Sequence, residues 1–141
     1  MHVAIVVTIK DPVTSKTINY SVSNNTTLWR AQSLFKKEPI TIEWIRSFKK
    51  NSVFYDVGAN IGMYSIFAGY VSDVKVYSFE PESNNFQILM ENILANNLGS
   101  KISPYPIGIS NLSGLTTLYL SNFKKGTSHH MVGESLDHNL N

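Results

Sequence analysis

The chain has 141 residues, no cysteine and a net charge of +2, and its apolar fraction of 43% is ordinary for a globular domain. This length suits one domain with its own core, the missing cysteine excludes disulfides and thiolate metal sites, and the small charge excess gives no electrostatic reason to expect a nucleic-acid partner. No apolar run approaches the roughly 20 residues of a membrane-spanning helix and no secretion signal is evident, so we expect a cytoplasmic protein without membrane association.

The first fifty residues are predicted to form a β-hairpin followed by two short helices. Apolar runs at 3–9 and 17–22 flank the turn signal Asp11-Pro12, and the second run alternates apolar and polar side chains as a half-buried strand does. Residues 27–35 and 42–48 then place apolar side chains at helical spacing. This segment packs against the core and leads to the first central strand.

The stretch 53–62, Val-Phe-Tyr-Asp-Val-Gly-Ala-Asn-Ile-Gly, organises the remaining segment, residues 51–141. Its apolar run, typical of a strand covered on both faces, ends near Asp56, and a turn containing Gly58 and Gly62 leads into an apolar helical pattern. Glycine allows unusual backbone angles there and close approach of a ligand to the main chain. Unpaired N–H groups at the start of the helix are expected to point at that ligand.

A second apolar run, 74–79, ends at Glu80-Pro81. An acid at the tip of the second strand of a βαβ unit is placed to accept hydrogen bonds from ribose hydroxyls. Because βαβ units build parallel sheets, we predict an α/β fold. The turn does not have the Gly-x-Gly-x-x-Gly spacing of dinucleotide sites, which favours an adenosyl ligand over NAD.

The rest of the chain continues the same pattern. Ser83 is the predicted N-cap of a second crossover helix, and Gly99 is expected at its C-terminus. Residues 102–109 and 115–120 have β character, and 123–141 are predicted to be loop.

Several short motifs occur in order within residues 38–114. They are 56–62 (DVGANIG), 79–81 (FEP), Asn85-Phe86, Leu89, Asn92-Ile93, 96–98 (NNL) and Ile109-Ser110-Asn111 with Gly114. In this order they resemble the FkbM family of S-adenosylmethionine-dependent methyltransferases. The resemblance implies a Rossmann-like class I methyltransferase sheet with S-adenosylmethionine as the cofactor.

The resemblance also implies roles for the residues of the turn. Gly58, Ala59 and Asn60 would line the methionine part of the cofactor, and Gly62 would let the helix begin close to it. Asp56 would orient the turn and meet the ammonium group of the cofactor.

Two further positions complete the implied cofactor site. Glu80 would accept hydrogen bonds from both ribose hydroxyls. Gly108 and Ser110, at the tip of the third strand, would lie beside the adenine.

The activity implied by the resemblance is methyl transfer to a hydroxyl of a sugar or natural product, with a small-molecule or glycan acceptor. A non-catalytic nucleoside-binding module is the alternative. No catalytic residue is assigned, because the adjacent His129 and His130 suit either a general base or exposed loop positions. The sequence offers no convincing spacing for a metal site.

The sheet implied by the resemblance has more strands than this sequence supplies, and the family's later acidic-glycine segment has no counterpart. We therefore expect an incomplete sheet, corresponding to an N-terminal part of a family member. Its exposed edge and apolar surface are expected to favour self-association or a partner chain that completes the fold.

Overall fold

The computed structural model describes residues 5–111, 113–120, 126–127 and 131–132. Within these ranges the elements are, in chain order, β1 (Ile5–Lys10), β2 (Thr17–Val22), α1 (Asn25–Lys37), α2 (Pro39–Arg46), β3 (Val53–Val57), α3 (Met63–Val71), β4 (Lys75–Phe79), α4 (Ser83–Ala95), β5 (Ile102–Tyr105), β6 (Leu118–Tyr119) and β7 (Met131–Val132). None of these helices has the length and apolar character needed to cross a bilayer.

The central sheet contains three parallel strands in the order β3-β4-β5, with Tyr55 opposite Tyr77 and Phe79 opposite Tyr105. Helix α3 connects β3 to β4, and α4 connects β4 to β5. The buried side chains of α3, including Ile66 and Phe67, form much of the core against the sheet. This arrangement confirms the predicted α/β, Rossmann-like sheet.

The predicted N-terminal hairpin is also confirmed, since β1 and β2 pair antiparallel. Ile18 and Tyr20 of β2 are fully buried. Two asparagines of α4 bond the main chain of β2: Ser21 N donates to Asn92 Oδ1 at 2.6 Å, and Asn19 N donates to Asn96 Oδ1 at 2.9 Å. The hairpin is therefore joined to the second crossover helix by side-chain amides.

Several element boundaries differ from their predictions for local physical reasons. Helix α2 begins earlier, at Pro39, because the first helical position needs no N–H donor. The N-cap of α4 is Glu82 and not Ser83, since its carboxylate accepts from Asn84 N and Asn85 N at 2.9 and 2.8 Å.

The third strand and the end of α4 also differ. Strand β5 ends at Tyr105 and does not continue to residue 109, because Pro106 cannot donate a ladder hydrogen bond. The left-handed residue after α4 is Asn97, with φ of 55°, and not Gly99.

One face of the central sheet is open within the described part of the chain. Val53, Tyr55 and Val57 of β3 are 51–63% exposed, although their apolar run predicted a strand covered on both faces. On this face Tyr55 stacks on Tyr77, and Phe79 stacks on Tyr105, with ring centroids 5.4 Å apart in both pairs. The helices α3 and α4 cover the other face, where Val76 and Ile102 are buried.

Candidate functional site

The turn between β3 and α3 wraps around the carboxyl end of β4. Gly58 N and Ala59 N both donate to the carbonyl of Phe79, at 2.9 and 3.0 Å. Gly58 and Gly62 have φ values of +74° and +84°, and Asn60 between them has φ of 53°. Left-handed backbone at three of five positions explains why the turn is built from glycine and asparagine.

The main-chain N–H groups of the turn are all used within the chain. Besides Gly58 and Ala59, Asn60 N donates to Glu80 Oε2 at 2.7 Å, Ile61 N to Asn60 Oδ1 at 3.0 Å, and Gly62 N to Ala59 O at 2.8 Å. The N–H groups of residues 58–62 are therefore not free to meet a ligand, while the expected role of the first N–H groups of α3 stays a prediction.

Asp56 lies at the end of β3, half-buried behind the turn. Its Oδ2 accepts a hydrogen bond from Ser65 Oγ at 2.6 Å, and Ser65 Oγ lies 2.6 Å from Ser78 Oγ of β4. Burial raises the pKa of Asp56, although the hydroxyl and N–H of Ser65 oppose that shift. A desolvated carboxylate in this position is stabilised by a cation brought to it.

Glu80 follows β4 and is only 4% exposed. Its Oε2 accepts from Asn60 N, and its Oε1 accepts from Glu82 N at 2.9 Å. Burial raises the pKa of Glu80 against the opposing effect of these N–H groups. The side chain of Asn85 also hydrogen-bonds this carboxylate. Because a carboxylate has about four acceptor sites, Glu80 can hold the turn and still accept a hydrogen bond from a ligand.

A cavity of about 220 Å³ opens beside the turn. Its walls come from the end of β3, the turn, the first helical turn of α3, and two cationic side chains of α1. The lining residues are Asp56, Gly58, Ala59, Asn60, Met63, Tyr64, Arg30 and Lys37. Burial, followed by the nearby carboxylate of Glu38, raises the pKa of Tyr64 to about 12, so its phenol stays protonated at neutral pH.

A short segment, Gly126–Thr127, lies against the turn. The side-chain amides of Asn60 and Asn85 both donate to Thr127 O, at 2.6 and 3.2 Å. Gly126 N donates to Asn85 Oδ1 at 2.6 Å, and Arg30 Nε donates to Gly126 O. The segment thus links α1, the turn and the start of α4.

The structure brings some of the predicted site residues together and leaves others apart. Asp56, Gly58, Ala59 and Asn60 line the cavity. Gly62 and Glu80 are not among its lining residues, although Glu80 is bonded to Asn60. Gly108 and Ser110 are exposed after the end of β5 and are not among the residues that line the cavity. His129 and His130 lie outside the described residues.

Four cavity residues, Arg30, Lys37, Met63 and Tyr64, were not predicted as site residues from the sequence. Arg30 and Lys37 are seven residues apart and lie on one face of α1, and this spacing was the available signal. Met63 and Tyr64 carry no comparable signal, because their positions on α3 suit packing equally well. Among the described residues, no group of three or more His, Asp or Glu side chains could hold a metal ion.

The two glycines of the turn differ in what an added Cβ would meet. We expect Gly62→Ala to lower the free energy of unfolding by about 2–4 kcal/mol, because a Cβ there combines a left-handed backbone with a 2.4 Å approach to the buried Leu89 Cδ1. Gly58→Ala should lower it by about 1–2 kcal/mol, since that Cβ meets no atom within 4 Å. Urea unfolding of both variants measures the difference, and equal losses would contradict it.

The parallel β3-β4-β5 sheet, with a glycine turn after its first strand and a buried acid after its second, is a Rossmann-like arrangement that is similar in fold to part of several solved structures. Pyrococcus horikoshii TYW2 in complex with MeSAdo matches 77% of this chain at 18% identity, with a TM-score of 0.53. The putative transferase PH0793 of Pyrococcus horikoshii matches 73% at 18% identity, with a TM-score of 0.52. The aTrm5 structure in complex with tRNALeu matches 68% at 18% identity, with a TM-score of 0.51.

These matches concern only part of each solved protein. This chain spans 38% of the TYW2 chain, 36% of the PH0793 chain and 27% of the aTrm5 chain. No protein-family model and no curated protein matches the sequence.

Proposed function

We propose that the chain binds S-adenosylmethionine at the β3–α3 turn. It would act as a methyltransferase, or as the cofactor-binding part of one, that methylates a hydroxyl of a sugar or natural product. The observation that carries the proposal is the pair of desolvated carboxylates, Asp56 and Glu80, at the carboxyl ends of neighbouring parallel strands on either side of the glycine turn. Ligands of open α/β sheets bind at this end of the strands. The FkbM-like order of motifs supports the same cofactor.

The residues present fit this cofactor. Asp56 lines the cavity and would bind the ammonium group of the methionine part. Glu80 would accept hydrogen bonds from the ribose hydroxyls, and Gly58 leaves open space above the turn, since an added Cβ would meet no atom within 4 Å. Gly108 and Ser110, beyond β5, would contact the adenine.

The cofactor would supply an activated methyl group, and the protein would position the acceptor relative to that group. Holding an acceptor hydroxyl in line with that methyl group accounts for much of the rate gain in such a displacement. The turn is fixed by the Phe79 carbonyl, Glu80 and Asn60, so it holds the bound ligand at a defined position. A general base for the hydroxyl is not assigned.

Calorimetric titration with S-adenosylhomocysteine tests the cofactor proposal. Wild-type protein is expected to bind, and Glu80→Ala to bind more than about tenfold more weakly, because hydrogen bonds to a charged group are lost. Glu43→Ala is the matched control, since Glu43 is an exposed glutamate on α2. A folded wild-type chain that does not bind would contradict the proposal.

Glu80 also holds the turn through Asn60 N, so a ligand variant separates its two roles. The 2′-deoxy analogue of S-adenosylhomocysteine should bind wild-type protein more weakly than the parent ligand. Glu80→Ala should show little preference between the two. An unchanged preference in the variant would remove Glu80 from ribose recognition.

A methyl-transfer assay identifies the class of acceptor and distinguishes the proposed enzyme from the alternative functions. Labelled S-adenosylmethionine is offered with a panel of glycans, hydroxylated natural products and tRNA, the last because the aTrm5 structure is a complex with tRNALeu. Transfer to a hydroxyl supports the proposal, and transfer to tRNA replaces the acceptor class. Cofactor binding without transfer favours the non-catalytic module, and competition by NAD would favour a dinucleotide enzyme.

A further inference from the structure

We infer that Arg30 of α1 binds the carboxylate of the amino-acid end of the ligand, so that the cavity recognises a zwitterionic α-amino acid group. This inference rests on the proposed cofactor site and assigns its anion-binding residue to the N-terminal helix, outside the β3–α3–β4 unit. The ligand class is an adenosyl compound that carries a free α-amino and α-carboxyl group.

Arg30 is a cation at the cavity wall that forms no direct ion pair within the described part of the chain, although the carboxylate of Glu80 acts on it electrostatically. It is half-buried, and burial lowers its pKa. Its Nε donates to the neutral carbonyl of Gly126, and among the described residues no hydrogen bond is seen from Nη1 or Nη2. No described carboxylate forms an ion pair with it. An anion in the cavity would meet both Nη nitrogens in the forked geometry that suits a carboxylate.

The charges of the cavity match the two ends of an amino acid. Asp56 supplies a desolvated carboxylate for an ammonium group, and Arg30 supplies a guanidinium for a carboxylate. The amides of residues 58–62 cannot take that carboxylate, because each already donates within the chain. The cationic side chains that line the cavity are Arg30 and Lys37, so the carboxylate is assigned to one of them.

Lys37 is the other cation of the cavity, but its charge is already paired. Its Nζ lies 3.4 Å from Glu38 Oε1, and its side chain is 41% exposed. An exposed, paired ammonium gives a weaker site than a half-buried, unpaired guanidinium. The inference therefore assigns the carboxylate to Arg30.

The test compares two ligands that differ in a single group. Decarboxylated S-adenosylhomocysteine keeps the adenosine and the ammonium and lacks only the carboxylate. Calorimetric titration should show that Arg30→Ala binds S-adenosylhomocysteine about 10- to 100-fold more weakly than wild type and binds the decarboxylated ligand with unchanged affinity. Lys36→Ala, which removes an exposed charge from the same helix, should change neither affinity.

A second variant separates the charge of Arg30 from its bond to Gly126. Arg30→Gln keeps a donor for the Gly126 carbonyl and loses the positive charge. It should behave like Arg30→Ala with S-adenosylhomocysteine if the charge binds the carboxylate. Two results would overturn the inference: wild-type affinity for S-adenosylhomocysteine in Arg30→Gln, or an equal loss of affinity for both ligands in Arg30→Ala. Either would mean that Arg30 only holds the Gly126 carbonyl.

The same titrations distinguish failure of the inference from failure of the proposed function. If wild-type protein binds both ligands equally and Arg30→Ala is unchanged, the adenosyl site stands and the carboxylate assignment is wrong. If folded wild-type protein binds neither ligand, the cofactor site and the Arg30 assignment are both overturned.

Discussion

Asp11→Asn is expected to lower the free energy of unfolding by about 3–5 kcal/mol, because it leaves a largely buried arginine without its counter-ion. Asp11 lies in the turn between β1 and β2 with no exposed side-chain surface, and it accepts from Arg46 Nη2 and Nη1 at 2.5 and 3.2 Å. Arg46 also lies over the ring of Phe67, 4.9 Å from its centroid. The pair thus fixes the hairpin turn to the end of α2 and to the core.

Urea unfolding at neutral pH measures this loss, and Asp73→Asn is the matched control. Asp73 forms exposed pairs with Lys50 and Lys101, at 3.5 and 3.9 Å. Its variant should lose less than about 1 kcal/mol, because solvent screens such pairs. Equal losses in the two variants would show that the Asp11–Arg46 pair adds nothing beyond a surface contact.

The pH dependence of unfolding checks the same pair independently. Burial of Asp11 favours its neutral form, but hydrogen bonds from Arg46, Val13 N and Thr14 outweigh this effect and lower its pKa from 3.8 to about 2. A lowered folded-state pKa contributes stability that is fully present above the unfolded value and is lost as pH falls from about 4 toward 2. The stability difference between wild type and Asp11→Asn should therefore shrink in that window.

The grouping of the glycine turn with Asp56 and Glu80 could be predicted from the sequence, because the signals for it are local. The strand, the glycine turn, the helix start and the acid after the next strand lie within 53–80, and each follows from periodicity or turn chemistry. The structure places Asp56, Gly58, Ala59 and Asn60 at one cavity, with Glu80 bonded to the turn. Local patterns were sufficient because one βαβ unit builds this part of the site.

The remaining contacts could not be predicted, because they join residues far apart in the chain. Arg46 meets Asp11 across 35 positions, Asn92 meets Ser21 across 71, and Arg30 meets Gly126 across 96. Propensity and periodicity give no information on such pairings. A charged or amide side chain on a helix therefore carries no sequence signal of its distant partner.

The exposed face of β3 has a similar explanation. An apolar run predicts that a strand is suited to burial on both faces, but it cannot say which elements provide the cover. In the described ranges, Val53, Tyr55 and Val57 lie opposite the helices, and the aromatic rings of β4 and β5 extend the same face. Self-association through this face remains a prediction.

Asn92→Leu is expected to lower the free energy of unfolding by about 2–5 kcal/mol, because it leaves two buried backbone groups without partners. Asn92 is fully buried; its Oδ1 accepts from Ser21 N at 2.6 Å, and its Nδ2 donates to Ile61 O at 2.7 Å. Leucine keeps a similar volume, so the loss reports the missing hydrogen bonds and not a cavity. Urea unfolding measures it, with Gln87→Leu at an exposed position of α4 as the control.

Asn92 also connects the hairpin to the proposed site, so the same substitution tests that connection. Ile61 lies in the turn between Asn60 and Gly62, and its carbonyl is held by the same amide that holds β2. Loosening that carbonyl should weaken S-adenosylhomocysteine binding at temperatures where Asn92→Leu remains folded, whereas Gln87→Leu should bind like wild type. Unchanged affinity in a destabilised Asn92→Leu would mean that the turn is fixed by Phe79, Glu80 and Asn60 alone, and that the α4 amides serve only to join the hairpin to the core.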